Sequence, residues 1–385
     1  MPELCGVVGI GQTKYDAKRI DVSMPGLVRE AALRALEDAE LTFSDIDAVV
    51  IGKAPDTFEG VMLPENYLAD ALGATGKPLL RVHTAGSVGG STANVAISLI
   101  KAGIHDRVLT LSWEKQSESN AMWGLTVSPP FSVAVVAGAG GYFAPLIRSY
   151  IQRSGAPEDT GIRTALKDRL NALKNPYAHL RIEDIDFDKI ANSPMLWDPI
   201  RYLESCPSSD GACAMVLARE ELAERAPTKP AWVRATAMRS EPNQFPGRDA
   251  VNPMAGQMAA RDLYKQAGIR NPRQEIDCAE IYVPFSWFEA MWMENLGFAP
   301  ENEGWKMVYE GATALDGDFP VNMSGGVLSS NAIGASGMVR YAEAAMQVRG
   351  QAGEHQVDGA KTALGHAYGG GSQYFSMCLF DSEKP

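Results

Sequence analysis

Three segments of this chain hold the side chains best suited to moving protons or stabilising negative charge. VNMSGGVLSSNAIGASG (Val321 to Gly337) is glycine-rich and carries Ser330 and Asn331. DCAEIYVPFSWFEAMW (Asp277 to Trp292) carries Tyr282, and ALGHAYGGGSQYFSMCLF (Ala363 to Phe380) sets His366 and Tyr368 before Gly369, Gly370 and Gly371. An asparagine amide donates a hydrogen bond but exchanges no proton near neutral pH, as an imidazole does. A phenol, with an ordinary pKa of about 10, is a poor base in water; held by a hydrogen bond, it takes a hydroxyl proton in step with bond breaking. A fourth segment, Ala85-Gly86-Ser87-Val88-Gly89-Gly90, opens a helix with small residues, and amides at such a turn bind an oxygen that is gaining charge.

The elements that must position these residues repeat. Ala31 to Ile51 reads as an amphipathic helix, a polar turn and a strand led by Ile46-Asp47, and Ala259 to Tyr282 repeats that order with Ile276-Asp277. Gly86 to Gly90 opens a helix running to about Ala102, and Gly334 to Gly337 opens another running to about Val348. This order predicts an α/β fold of two similar layered halves, residues 1–235 and 236–385, each with a central sheet covered by helices. Residues 115–199 form a long excursion within the first half, and excursions of that size usually carry function.

With 385 residues the chain exceeds a single core, which fits the duplicated halves. Its 45% hydrophobic and 21% charged content is that of a soluble globular protein, and a net charge of −12 argues against nucleic acid or an anionic membrane as partner. The N-terminus does not read as a signal peptide, and the most apolar window, Pro130 to Arg148, is too short and glycine-rich for a membrane span. The five cysteines lack metal-ligand or disulfide spacing, which fits a reduced cytoplasm and a default role as small buried hydrophobes. Against the acidic background, Arg148 to Arg181 carries seven basic and three acidic residues.

The segment Val321 to Gly337 resembles the thiolase signature that ends in Ile-Gly-Ala-Ser-Gly, with Ser330-Asn331-Ala332 where the family has Gly-His-Pro. Leu170 to Ala218, with Asn175-Pro176, Asp198-Pro199 and Ser209-Asp210-Gly211-Ala212, is similar to the sterol-carrier-protein branch of that family, and the resemblance runs from about Val7 to Leu379. It implies a thiolase fold, a homodimer, no permanently bound cofactor or metal, and coenzyme A as part of the substrate. The basic island then becomes the place for the CoA phosphates, chiefly Arg163, Lys167 and Arg169.

What the resemblance withholds is the family's chemistry. The family's nucleophilic cysteine sits at a helix N-terminus, where the dipole lowers its pKa, and the register here gives Gly86 or Ala85. Tyr282 replaces the family's histidine, and Ala367 or Tyr368 stands at the second cysteine. None of Cys206, Cys213 and Cys278 falls at a reactive position, so acyl transfer through a thiol is not expected. The surviving set implies an enolate reaction without a covalent intermediate, namely retro-aldol cleavage of a 3-hydroxyacyl-CoA. Tyr282 is then the base and Tyr368 or His366 the acid, with the thioester oxygen held by Asn331, Gly86, Ser330 and Gly370. The chain also resembles the thiolase-like lipid-transfer aldolases of steroid side-chain degradation, which implies a small zinc-ribbon/OB-fold partner; Trp113, Met122, Trp123 and Phe131 of the excursion suit an apolar cleft for a steroid or, equally, core or a dimer interface. Three rivals stay open: a non-catalytic subunit of a heteromeric complex, an acyl-CoA acyltransferase, and a hydrolase using Ser87 in an Ala-Gly-Ser-Val-Gly elbow with His366.

Overall fold

The computed structural model describes residues 3–118, 138–242 and 247–385. Nine strands form one sheet: β1 (Cys5–Gln12), β2 (Ala48–Lys53), β3 (Leu79–Val82), β4 (Arg107–Lys115), β5 (Asp210–Arg219), β6 (Ala231–Ser240), β7 (Cys278–Glu280), β8 (Thr362–Gly369) and β9 (Tyr374–Asp381). Their order across it is β3-β2-β4-β5-β1-β6-β9-β8-β7. The duplication is visible in the pairing. β1 runs antiparallel to β5 as β6 does to β9, and β2 runs parallel to β4 as β7 does to β8. A lone parallel bridge, Ala279 to Val321, stands where the first half has its β2–β3 ladder. The sequence predicts a sheet for each half; in the structure the two are continuous, because β1 and β6 pair through Gly6–Trp232 and Val7–Ala231. Each strand thereby satisfies an edge that would otherwise offer unpaired backbone groups. Residue 235, where the sequence analysis divides the chain, lies within β6.

The helices used below are α1 (Met24–Asp38), α2 (Val88–Lys101), α3 (Gly138–Ser154), α4 (Thr160–Ala172), α5 (Met254–Ala267), α6 (Phe288–Asn295) and α7 (Ile333–Arg349). Helix α1 starts where the Ser23 side chain accepts the Gly26 N–H, and it buries Leu27, Val28, Ala31, Ala32, Ala35 and Leu36 at helical spacing. Helices α2 and α7 are buried and cross at glycines. A Cβ on Gly89 would lie 2.4 Å from the Met338 nitrogen, and one on Gly337 would lie 2.8 Å from the Gly90 nitrogen. The same pair touches both halves of the sheet: a Cβ on Gly52 of β2 would lie 2.0 Å from Thr92, and one on Gly90 would lie 2.9 Å from Ala367 of β8. Both sequence motifs that open helices with small residues therefore mark one helix crossing, and the first turns of α2 and α7 are brought together.

The excursion leaves β4 and returns at β5, whose ends are register partners at Lys115 and Asp210. Asp210 closes it, taking the Ser117 N–H at 2.9 Å, the Ser117 hydroxyl at 2.6 Å and the Arg19 N–H at 2.9 Å. Gly211 follows because a Cβ there would lie 2.1 Å from the Tyr15 ring, so the Ser-Asp-Gly motif is structural. Within the excursion Asn175 donates to the Ser324 carbonyl at 3.1 Å and ties the loop after α4 to the segment before α7.

Candidate active site

A cavity of ≈ 170 Å³ opens where the first turns of α2 and α7 meet the ends of β7 and β8, and Tyr282, Asn331, Tyr368, Gly86, Gly370 and Cys206 all line it. Tyr282 reaches it because the chain leaves β7 under side-chain control. The Ile281 N–H goes to Asn322 Oδ1 at 2.8 Å, the Tyr282 N–H to His366 Nδ1 at 3.3 Å, and the Tyr282 carbonyl accepts Trp292 Nε1 at 2.9 Å. The Tyr282 hydroxyl donates to Asn331 Oδ1 at 3.3 Å, and its ring meets Tyr368 edge to face with centroids 5.3 Å apart. Tyr368 is stacked on Phe288 at 5.8 Å and set against Trp292 at 5.1 Å, and its hydroxyl has no hydrogen-bond partner among the described residues. Burial pushes both phenols well above their ordinary pKa; at Tyr282 the neighbouring Cys206 adds to the rise and Ser336 opposes it. Both are neutral in the resting protein.

Asn331 precedes α7 and is held at every polar atom. Its N–H donates to Ser209 Oγ at 3.1 Å and its carbonyl accepts the Ser209 N–H at 3.0 Å. Oδ1 also accepts Ser336 Oγ at 2.8 Å, and Nδ2 donates to Cys206 Sγ at 3.1 Å. Gly86 lines the cavity ahead of α2, next to Ala85 in the left-handed region at φ 51°. Gly370 and Gly371 have φ of 62° and 60°, which accounts for glycine there.

Several sequence expectations are corrected. Ser330 does not line the cavity, because its hydroxyl accepts the His179 N–H at 2.9 Å. His366 is fully buried behind Tyr282, where loss of water lowers its pKa to about 3; Nδ1 is taken by the Tyr282 N–H, and Nε2 is unpartnered among the described residues. It supports Tyr282 and does not reach the cavity. Ser87 is also buried and donates to the Thr84 carbonyl at 2.8 Å, so it does not form the nucleophile of an elbow. Trp113 lies in the core and donates to Glu59 at 2.9 Å, while Met122, Trp123 and Phe131 fall outside the described residues.

Two of the three basic residues assigned to CoA turn inward. Lys167 pairs with Glu289 at 2.6 Å and Asp168 at 3.1 Å, and Arg169, 1% exposed, donates to the carbonyls of Leu203, Ser205 and Leu328. Neither meets solvent phosphates: Lys167 reaches Glu289 and the Val321 carbonyl of the second half, while Arg169, on another side of α4, is engaged by three backbone carbonyls. Arg163 stays exposed, paired with Asp159 at 2.9 Å over the Tyr309 ring.

Sequence reasoning missed Cys206, which lines the cavity at the foot of the Ser-Asp-Gly motif and whose thiol burial pushes up to about 11. It also missed Tyr142 on α3, a third cavity phenol set edge to face with Phe143, and Ser336, four residues beyond Ala332 on α7. Cys206 and Ser336 lie within the thiolase-like segments and Tyr142 outside them, and nothing in residue type singles any of the three out. Among the described residues no group of three or more His, Cys, Asp or Glu is arranged to hold a metal ion, and no helix is long and apolar enough to cross a membrane.

Residues 239–381 match the thiolase C-terminal domain-like family. The chain is 30% identical to an acetyl-CoA acetyltransferase of Methanothermobacter thermautotrophicus, over 94% of this chain and 96% of that one. It is also 30% identical to bovine sterol carrier protein 2, over 94% of this chain and 69% of that one. Among solved structures, the Ltp2-ChsH2(DUF35) aldolase superposes with a TM-score of 0.85 at 26% identity, covering 100% of this chain and 99% of that one. The chain belongs to the thiolase superfamily, in its sterol-carrier-protein and lipid-transfer branch.

Proposed function

We propose that this protein is a thiolase-like retro-aldolase that cleaves a 3-hydroxyacyl-CoA into a ketone or aldehyde and a shortened acyl-CoA. The observation that carries the reading is the pairing of Tyr282 and Tyr368 in one cavity with the Asn331 amide, while Ala85, Gly86 and Ser87 precede α2 without a thiol. The bond between Cα and Cβ breaks, its electrons pass to the thioester carbonyl, and the Asn331 amide and the turn at Gly86 stabilise the enolate oxygen. The substrate hydroxyl gives its proton to the Tyr282 oxygen as that phenol turns its own away from Asn331 Oδ1 to the Tyr368 hydroxyl, unpartnered among the described residues, and Tyr368 protonates Cα. Because each neutral phenol gains one proton and gives one, no phenolate is required, which suits two phenols whose pKa burial has raised. Phe58, Phe143 and Phe285 give the acyl tail an apolar wall, and a steroid side-chain thioester is the substrate to try first.

Of the basic residues assigned to CoA, Arg163 alone remains exposed enough to meet its phosphates. A small zinc-ribbon/OB-fold partner is part of the proposal, supported by likeness to an aldolase solved as a complex with a DUF35 protein. Cys206 in the cavity favours acyl transfer as the second reading, and its raised pKa opposes it.

The test is Tyr282→Phe, assayed with the copurified partner on a 3-hydroxyacyl-CoA bearing a tertiary hydroxyl. We expect release of a ketone and a shortened acyl-CoA by the wild type. In the variant kcat should fall about 10²-fold or more with little change in melting temperature. Cleavage by the variant at the wild-type rate would remove Tyr282 from the mechanism. An acyl adduct on Cys206, seen by mass spectrometry, would replace the aldolase reading with acyl transfer.

A further inference from the structure

We propose that Ser336 is the positioning residue of this site: its hydroxyl fixes which end of the Asn331 amide faces Tyr282 and so aims the Nδ2 hydrogens at the cavity. The inference deepens the aldolase reading, and only its kinetic arm rests on that reading. The two ends of a carboxamide have nearly the same shape, so its orientation is decided by the partners around it. The Asn331 backbone is already immobile, clamped to Ser209 through both N–H and C=O. What remains free is rotation of the amide, and two hydroxyls converge on one end of it, Ser336 at 2.8 Å and Tyr282 at 3.3 Å. The structure sets the carbonyl at that end, with the Ser336 hydroxyl nearer to it at 2.8 Å than to the Ala332 carbonyl at 3.1 Å, and Nδ2 points to Cys206 Sγ at 3.1 Å on the cavity wall.

The two hydroxyls are not equivalent. Tyr282 must turn its proton elsewhere during proton transfer, and at that moment Ser336 alone holds Oδ1. Ser336 suits the task because it is rigid: it is 2% exposed in the first turn of α7, and its own N–H is bonded to the Ala332 carbonyl at 2.9 Å. An amide held through Oδ1 presents its hydrogens to the thioester oxygen as charge develops there, without reorganising first. The cavity thiol occupies that direction until a substrate carbonyl takes its place.

The first test needs no turnover. Cys206 is the half-buried cysteine and the other four are buried, so iodoacetamide followed by mass spectrometry reads Cys206 selectively as a function of pH. An amide donor stabilises the thiolate, so Asn331→Ala should move the alkylation midpoint to higher pH. We expect Ser336→Ala to move it in the same direction, and Ser336→Thr, which keeps the hydroxyl, to leave it near the wild-type value. In the kinetic arm, Ser336→Ala should lower kcat about tenfold, the scale of one hydrogen bond, with KM within about twofold of wild type. In an Asn331→Ala background the same substitution should cost clearly less, since the amide it positions is already gone and only its direct contact with Tyr282 remains. Should Ser336→Ala not fold, Ser336→Cys, nearly isosteric and a much weaker donor, carries the same expectations. An unshifted Cys206 profile in Ser336→Ala, or an undiminished loss of kcat in the Asn331→Ala background, would overturn the proposal. A shifted profile in a protein that cleaves no 3-hydroxyacyl-CoA would uphold the positioning role and sink the aldolase reading alone.

Discussion

His366 shows what burial does to a residue that its type alone recommends for proton transfer. Packed beside Trp292 and Phe375, it is held neutral, with a folded-state pKa of about 3 against about 6.5 for an ordinary histidine. Between those values the unfolded chain binds the proton and the folded one does not. Stability is therefore fully present above about pH 6.5 and declines as pH falls toward about 3. His366→Gln, which can still accept the Tyr282 N–H, should lose less stability over that interval, read as melting temperature against pH. Parallel curves for the two proteins would show that His366 does not titrate as described. Tyr282, Tyr368, Asn331, Gly86 and Gly370 were legible because a motif fixes their place at a strand end or helix turn. Ser330, His366, Lys167 and Arg169 were misread because their partners, among them the His179 N–H and Glu289, lie far along the chain. A local pattern shows that a side chain is polar and not whether a distant group has already engaged it.

At the scale of elements, the sequence pattern marked β2, α2 and α7 nearly at their observed bounds, and the repeated order revealed the duplication. The crossing of α2 and α7 was not legible, since a glycine that admits another helix looks the same as one that frees a turn. The crossing makes its own prediction. A methyl at Gly89 would press on the Met338 nitrogen from 2.4 Å, and neither helix backbone can yield. Gly89→Ala should destabilise the fold by about 1–3 kcal/mol or more, as overpacking of a core does. Because Gly86 and Asn331 sit at the two helix starts, it should also lower activity per folded molecule. An unchanged midpoint in denaturant titration, at an unchanged slope, would mean that the helices can part at no cost.

For the whole molecule, the sheet ends on β3, whose outer edge pairs with no strand among the described residues and whose Leu80 is 42% exposed. Open apolar edges invite pairing with another chain. We expect a homodimer joined through this edge, seen as twice the chain mass in size-exclusion chromatography with light scattering, and we expect Leu80→Lys to shift it toward monomer. A monomeric wild type at micromolar concentration would rule this arrangement out.

The β1–β6 pairing that makes the two half-sheets one also bears on how the chain comes apart. Neither half owns a complete core, because α2 and α7 each lean on strands of both, and the shared ladder removes the seam along which one half would detach. The consequence is cooperative loss of order: heating should melt the described body in a single calorimetric step, so a lesion in the half without Tyr282 and Tyr368 would still empty the cavity.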